Sequence, residues 1–77
     1  KAMSAINKCV KRNLHNGQFM EARRINDESF VVLVRRTHLP VERQWSTHIY
    51  FEPNDCLIYG HYDMSFSAAV KSLEERS

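Results

Sequence analysis

Residues 23–36, RRINDESFVVLVRR, decide the fold of this chain. A polar turn at residues 26–29 leads into an unbroken apolar run, residues 30–34, which ends in a second arginine pair. Side chains alternate between the two faces of a strand, so an unbroken apolar run presents apolar groups to both. Such a strand belongs in the middle of a sheet and needs cover on each side. The same alternation splits each arginine pair, one side chain to each face.

Working outward, residues 18–26 (QFMEARRIN) read as the partner strand. A two-residue turn at Asp27 and Glu28 would set Asn26 opposite Ser29 and Ile25 opposite Phe30, although the turn lacks the Asn-Gly or Asp-Gly that fixes such a register. Residues 37–43 (THLPVER) form a loop, because Pro40 cannot donate to a ladder. Residues 44–51 and 56–63 then make a second hairpin around Pro53 and Asn54, which suit the central positions of a type I turn. Pairing Phe51 with Cys56 places Trp45, Thr47, Ile49 and Phe51 beside Cys56, Ile58, Gly60 and Tyr62, the expected core face. The opposite face carries Gln44, Ser46, His48, Tyr50, Leu57, Tyr59, His61 and Asp63.

Helices flank these strands. In residues 1–17, Met3, Ile6, Val10 and Leu14 recur at helical spacing with Cys9 beside them, and Asn16-Gly17 is a stop signal. Steps of 100° put Lys8, Lys11, Arg12 and His15 opposite that stripe. In residues 66–76, Phe66, Ala69, Val70 and Leu73 form a second stripe behind a cap at Ser65 or Asp63, with a last turn expected to fray. The reading is one α+β domain over residues 1–77: two layers, ordered helix, four-stranded antiparallel meander, helix, with both helices on one sheet face. One face of residues 30–34 is then left open beside Tyr50, Leu57 and Tyr59, a surface that calls for a partner or a second copy of the chain.

Composition limits the function classes. A 77-residue chain buries only roughly 60–65% of the surface its unfolded form exposes, so it has little room to enclose a substrate. Its two cysteines, Cys9 and Cys56, lie outside any metal-ligand spacing and read as reduced thiols of a cytoplasmic protein. No apolar run approaches a membrane span, and no stretch has the pattern of a signal peptide. The net charge of +2 is uneven: residues 1–43 hold nine Lys/Arg against four Asp/Glu, residues 44–77 two against five. Uneven charge bears on partners rather than on fold.

Two sets of residues can do work. Lys8, Lys11, Arg12, Arg23, Arg24, Arg35, Arg36 and Arg43 are candidates for phosphate or acidic-surface contact, since the guanidinium fork donates paired hydrogen bonds. His48, Tyr50, Tyr59 and His61 share the polar aromatic face of the second hairpin. There, tyrosines can stack on bases, and two histidines are the acid–base pair of a small RNase. No phosphate loop, nucleophile elbow or metalloprotease motif is present, and neither a catalytic residue, a metal nor a cofactor is assigned.

The order helix–strands–helix resembles that of double-stranded RNA-binding domains. The resemblance stops at the second helix, where SFSAAVKSLEERS carries one lysine instead of a basic cluster, and at the fourth strand, so no family is assigned. The leading expectation is a small non-catalytic regulator or inhibitor that docks on a protein or nucleoprotein partner through an open sheet face and a basic surface. Direct nucleic-acid binding through the first helix and hairpin arginines is the second reading, and a histidine-dependent RNase the third.

Overall fold

The strand read as central is central. In the computed structural model, which describes residues 2–77, β2 (Ser29–Arg36) lies between β1 (Gly17–Arg24) and β3 (Trp45–Phe51), and β4 (Cys56–Met64) completes an antiparallel sheet ordered β1-β2-β3-β4. Helices α1 (Ala2–Asn13) and α2 (Phe66–Arg76) bracket the strands in sequence. Short 3-10 turns at Val41–Arg43 and Glu52–Asn54 interrupt the loop before β3 and the link to β4. The α+β meander flanked by two helices is therefore the architecture that the sequence implies.

The helices take opposite faces of the sheet, not one. Ile6, Cys9 and Val10 of α1 pack with Phe30, Val32, Val34 and Tyr50. Ala69 and Leu73 of α2 pack with Val31 and Leu33, flanked by Trp45, Ile49 and Met64. Even-numbered and odd-numbered residues of β2 thus meet different helices. The reason is the run of apolar residues itself: Phe30 to Val34 are all at most 4% exposed, which one helix layer cannot achieve. Burying a Val or Leu side chain contributes about 1.5–3 kcal/mol, so an uncovered β2 face would forfeit several such contributions. The open sheet face expected from the sequence does not exist.

Registers differ from the sequence reading at identifiable points. In the first hairpin Arg24 opposes Phe30 and Arg23 opposes Val31, one residue off, and a bulge between Phe19 and Glu21 shifts the pairing again. In the second, Phe51 opposes Cys56 and Ile49 opposes Ile58 as expected, but His61 then opposes Thr47 and Met64 opposes Trp45. Two residues are inserted, and Tyr59 (φ 52°) and Asp63 (φ 59°) adopt the left-handed conformation there. A bulge re-aims every side chain beyond it. The Tyr62 ring folds back over Gly60, where a Cβ would stand 2.6 Å from that ring.

The helix ends are set by short-range chemistry. Asn16, rather than Gly17, takes the left-handed turn after α1 (φ 53°). Gly17 is needed for a different reason, since a Cβ would lie 2.8 Å from that of Leu14. Met3 is exposed and stands outside the expected stripe. Ser65 caps α2 by accepting from the Ala68 amide at 3.2 Å. Its last turn does not fray: Arg76 donates to Thr47 O, Thr47 Oγ1 and Tyr59 O, tying the helix to β3 and to the first β4 bulge.

Candidate functional site

The arginines sort by the end of the sheet on which they stand. At the end holding the two hairpin turns, the arginines are neutralised. Arg12 meets Asp55 at 2.7 Å. Arg24 lies over the Phe30 ring, donates to the carbonyls of Asn26 and Asp27, and comes within 3.6 Å of Glu52. Arg23, farther along β1, pairs with Glu21 at 2.6 Å. At the other end, about 25 Å away along an eight-residue strand, stand Arg35, Arg36 and Arg43. None of these three makes an ion pair among the described residues.

What positions these cations is a set of neutral contacts. Arg36 donates Nε–H to the His15 carbonyl at 3.1 Å, and its guanidinium carbon lies 6.0 Å from the centre of the Tyr62 ring. Arg35 donates Nε–H to Gln44 Oε1 at 2.8 Å and lies 6.0 Å from the Trp45 ring. Buried Gln44 is held in turn by the Leu39 carbonyl. The Nη groups of both arginines take no partner among the described residues. The two residues point to opposite faces, so they straddle the end of the sheet. Arg43 is exposed on the turn beside them.

Two histidines join this end. The rings of His15 and His38 touch edge to face with centroids 5.1 Å apart. Asn16 lies 3.1 Å from His15 Nε2, and its carbonyl accepts from the Thr37 amide. Slight desolvation, then the charges of Arg36 and His15, lower the proton affinity of His38. The end therefore combines fixed cations with free donors and exposed rings, including Tyr62 at 50% exposure. Phosphate oxygens and base faces are what such groups bind.

The aromatic residues singled out in the second hairpin are not a surface site. His48 is 1% exposed, with Ser46 Oγ 2.8 Å from its Nε2 and the Tyr62 ring against its own at 5.1 Å. His61 is exposed on the opposite face, across from Thr47, because the bulge at Tyr59 falls between them. The acid–base pair His48/His61 is thus taken apart. Tyr59 is 73% exposed at the bulge, facing solvent alone.

Tyr50 is buried and serves a node that sequence reasoning missed. Its hydroxyl donates to Asp55 Oδ1 at 2.5 Å, while Arg12 holds Oδ2. Burial, followed by that bond, pushes the phenol above its ordinary range. The Tyr50 bond holds the Asp55 carboxyl low against an opposing desolvation, with Arg12 adding to the lowering. Asp55 sits in the left-handed conformation (φ 50°), which Asp tolerates in turns. Cys9 Sγ approaches the Asp55 carbonyl at 3.6 Å, and burial raises its thiol pKa. Lys8 and Arg12 face Glu52 and Asp55 across an open concavity of about 530 Å³. Its charges balance, and the node joins α1 to the β3–β4 turn. Tyr50→Phe is expected to cost about 1.5–3 kcal/mol, the net worth of a hydrogen bond to a charged group. Denaturant unfolding at neutral pH measures it, and an unchanged midpoint would contradict a stabilising node.

A second depression of about 200 Å³ lies between α2 and β1, lined by Met20, Leu33, Trp45, Phe66, Val70 and Leu73. Among the described residues no three His, Cys, Asp or Glu side chains gather as a metal site would require, and no helix is long and apolar enough to cross a membrane. No family model, curated protein or solved structure matches this chain.

Proposed function

We propose that this chain is a small non-catalytic binding module that docks on a nucleoprotein partner by gripping its phosphate backbone with the end of the sheet that carries Arg35, Arg36 and Arg43. The observation that carries the reading is the sorting of the arginines: those at the hairpin turns are occupied, whereas these three keep donors free. Arg35 and Arg36 are held by their Nε–H alone, which fixes each guanidinium while leaving its fork available. His15, His38 and Tyr62 add rings against which unpaired bases can stack. Such a module works with reduced thiols in the cytoplasm, alongside the assembly it regulates.

Binding is favoured over cleavage. The His15 and His38 rings touch each other, so a phosphodiester cannot sit between them as substrate sits between a catalytic acid and base. His48, the other candidate, is sealed from solvent.

Anisotropy of a labelled single-stranded RNA, titrated at several salt concentrations, tests the reading. Three phosphate contacts predict a log–log salt slope of roughly −2. Arg35→Gln/Arg36→Gln/Arg43→Gln should abolish most of that slope, whereas Arg12→Gln/Arg24→Gln should leave it. Equal losses from the two variants would contradict the sorting. RNA recovered shortened after incubation would favour the RNase reading instead.

A further inference from the structure

The two edges of the sheet are unlike. On β4, bulges at Tyr59 and Asp63 break the ladder, and the Tyr59 carbonyl is occupied by Arg76. Strand edges interrupted in this way resist pairing. On β1, the pairing with β2 is regular from Glu21 to Arg24, beyond the bulge at Met20. Among the described residues, no strand covers its outer side.

Backbone alternation says which groups that edge presents. The Ile25 amide donates to the Ser29 carbonyl at 2.9 Å and so points toward β2. Counting back in steps of two, Arg23 and Glu21 also turn their backbone groups inward. Ala22 and Arg24 turn theirs outward. Both the N–H and the C=O of Ala22 are therefore open to another strand.

We infer that a second copy of this chain occupies the edge, with β1 pairing antiparallel to itself about a twofold axis at Ala22. Opposed residues in an antiparallel pair must both face inward or both outward, so a self-paired strand can be centred only on a residue. Within residues 21–23 there are three choices. Centring on Glu21 opposes two glutamates, and centring on Arg23 opposes two arginines. Centring on Ala22 opposes Glu21 to the partner copy's arginine and Arg23 to its glutamate. This choice alone is free of like charge on the axis, and it also matches the outward backbone groups. The two alanines exchange a pair of N–H···O bonds. The charged residues fall at the adjacent non-hydrogen-bonded positions, where side chains approach most closely. Each strand already aligns Glu21 and Arg23 on one face at 2.6 Å, so pairing creates an alternating ring of four charges. Ala22 is small where the two strands must meet, and the exposed apolar Met20 and Ile25 flank the contact on either side.

The arrangement joins two sheets into one of eight strands and sends the two arginine-bearing ends in opposite directions. It does not rest on what those ends bind.

Sedimentation equilibrium of the full chain tests it. The wild type should be a dimer in reversible exchange with monomer. Glu21→Arg should raise the dissociation constant at least tenfold, because the introduced guanidinium would face the arginine of the partner copy at both symmetry-related positions. The double change Glu21→Arg/Arg23→Glu recreates the complementarity and should return the constant to within about threefold of wild type. Ala22→Pro removes the central outward N–H without taking a bond from β2 and should give a folded monomer, checked by circular dichroism. A wild-type monomer at all concentrations, or a single and a double charge variant that associate equally, would overturn the inference.

Discussion

Between pH 6.5 and pH 4 the protein is expected to lose about 3 kcal/mol of stability through one side chain, His48. The imidazole is shut into the sheet face beneath Tyr62, and desolvation is the main reason its pKa falls from 6.5 to about 4. The charges of Arg76, Arg36 and His61 push in the same direction. In the unfolded chain the residue protonates near pH 6.5, while in the folded chain it stays neutral down to about pH 4. The unfolded state therefore binds more protons across that window, and stability falls with pH until the folded form also protonates. Above pH 6.5 the residue contributes no slope. Asp55 acts later: its depressed carboxyl keeps its bonds above the ordinary carboxylate range and loses them as pH falls further. A domain of this size commonly has only about 4–12 kcal/mol in total, so the loss at His48 is a large share of it. Urea unfolding at half-unit pH steps measures the slope. His48→Gln, which cannot ionise, should flatten the curve between pH 6.5 and 4, and an unaltered acid slope in that variant would refute the assignment.

Truncating adjacent residues of β2 should destabilise the protein from both sides. Leu33 packs under α2, and Leu33→Ala is expected to cost about 3 kcal/mol from lost transfer energy and the cavity left behind. Val32 packs under α1, and Val32→Ala is expected to cost about 2 kcal/mol. Neighbouring strand residues are both expensive only when both faces are covered. In a two-layer domain one of them would lie near solvent, and its replacement would change stability by a few tenths of a kcal/mol. Equilibrium unfolding of the two single variants decides this, and a near-neutral result for either would contradict the three-layer arrangement.

The apolar run at residues 30–34 announced a central strand covered on both sides, and the helical stripes announced two helices. Their assignment to one face came from the expectation of short connections, which does not specify a side. The two-sided run already required the answer found. The β3–β4 pairing was legible from Phe51 to Ile49 and then failed, because nothing in CLIYGHYD marks Tyr59 as left-handed. Bulky residues rarely adopt that conformation, and here Arg76 from the far end of the chain binds the carbonyl that results. One inserted residue sufficed to separate His48 from His61. The candidate site was half legible. Arg35, Arg36 and Arg43 were picked out by residue type, but their freedom was not, since it depends on Asp55 and Glu52 neutralising Arg12 and Arg24 across the fold. Asp55 itself looked like a turn residue after Pro53 and Asn54, and its bond to Arg12, 43 positions away, leaves no local sign. His15 and His38 meet only because residues 14–17 and 37–44 fold over the same end of the sheet.

The central functional claim is that the arginine-bearing end opposite the hairpin turns meets the partner's phosphates. Amide chemical-shift mapping of the isotopically labelled full chain, titrated with an unlabelled single-stranded RNA, tests it most directly. Shifts are expected to concentrate at His15, Asn16, residues 35–38, Arg43 and Tyr62, while residues 24–28 and 52–55 stay in place. Perturbations centred on the hairpin turns, or on the depression between α2 and β1, would contradict it.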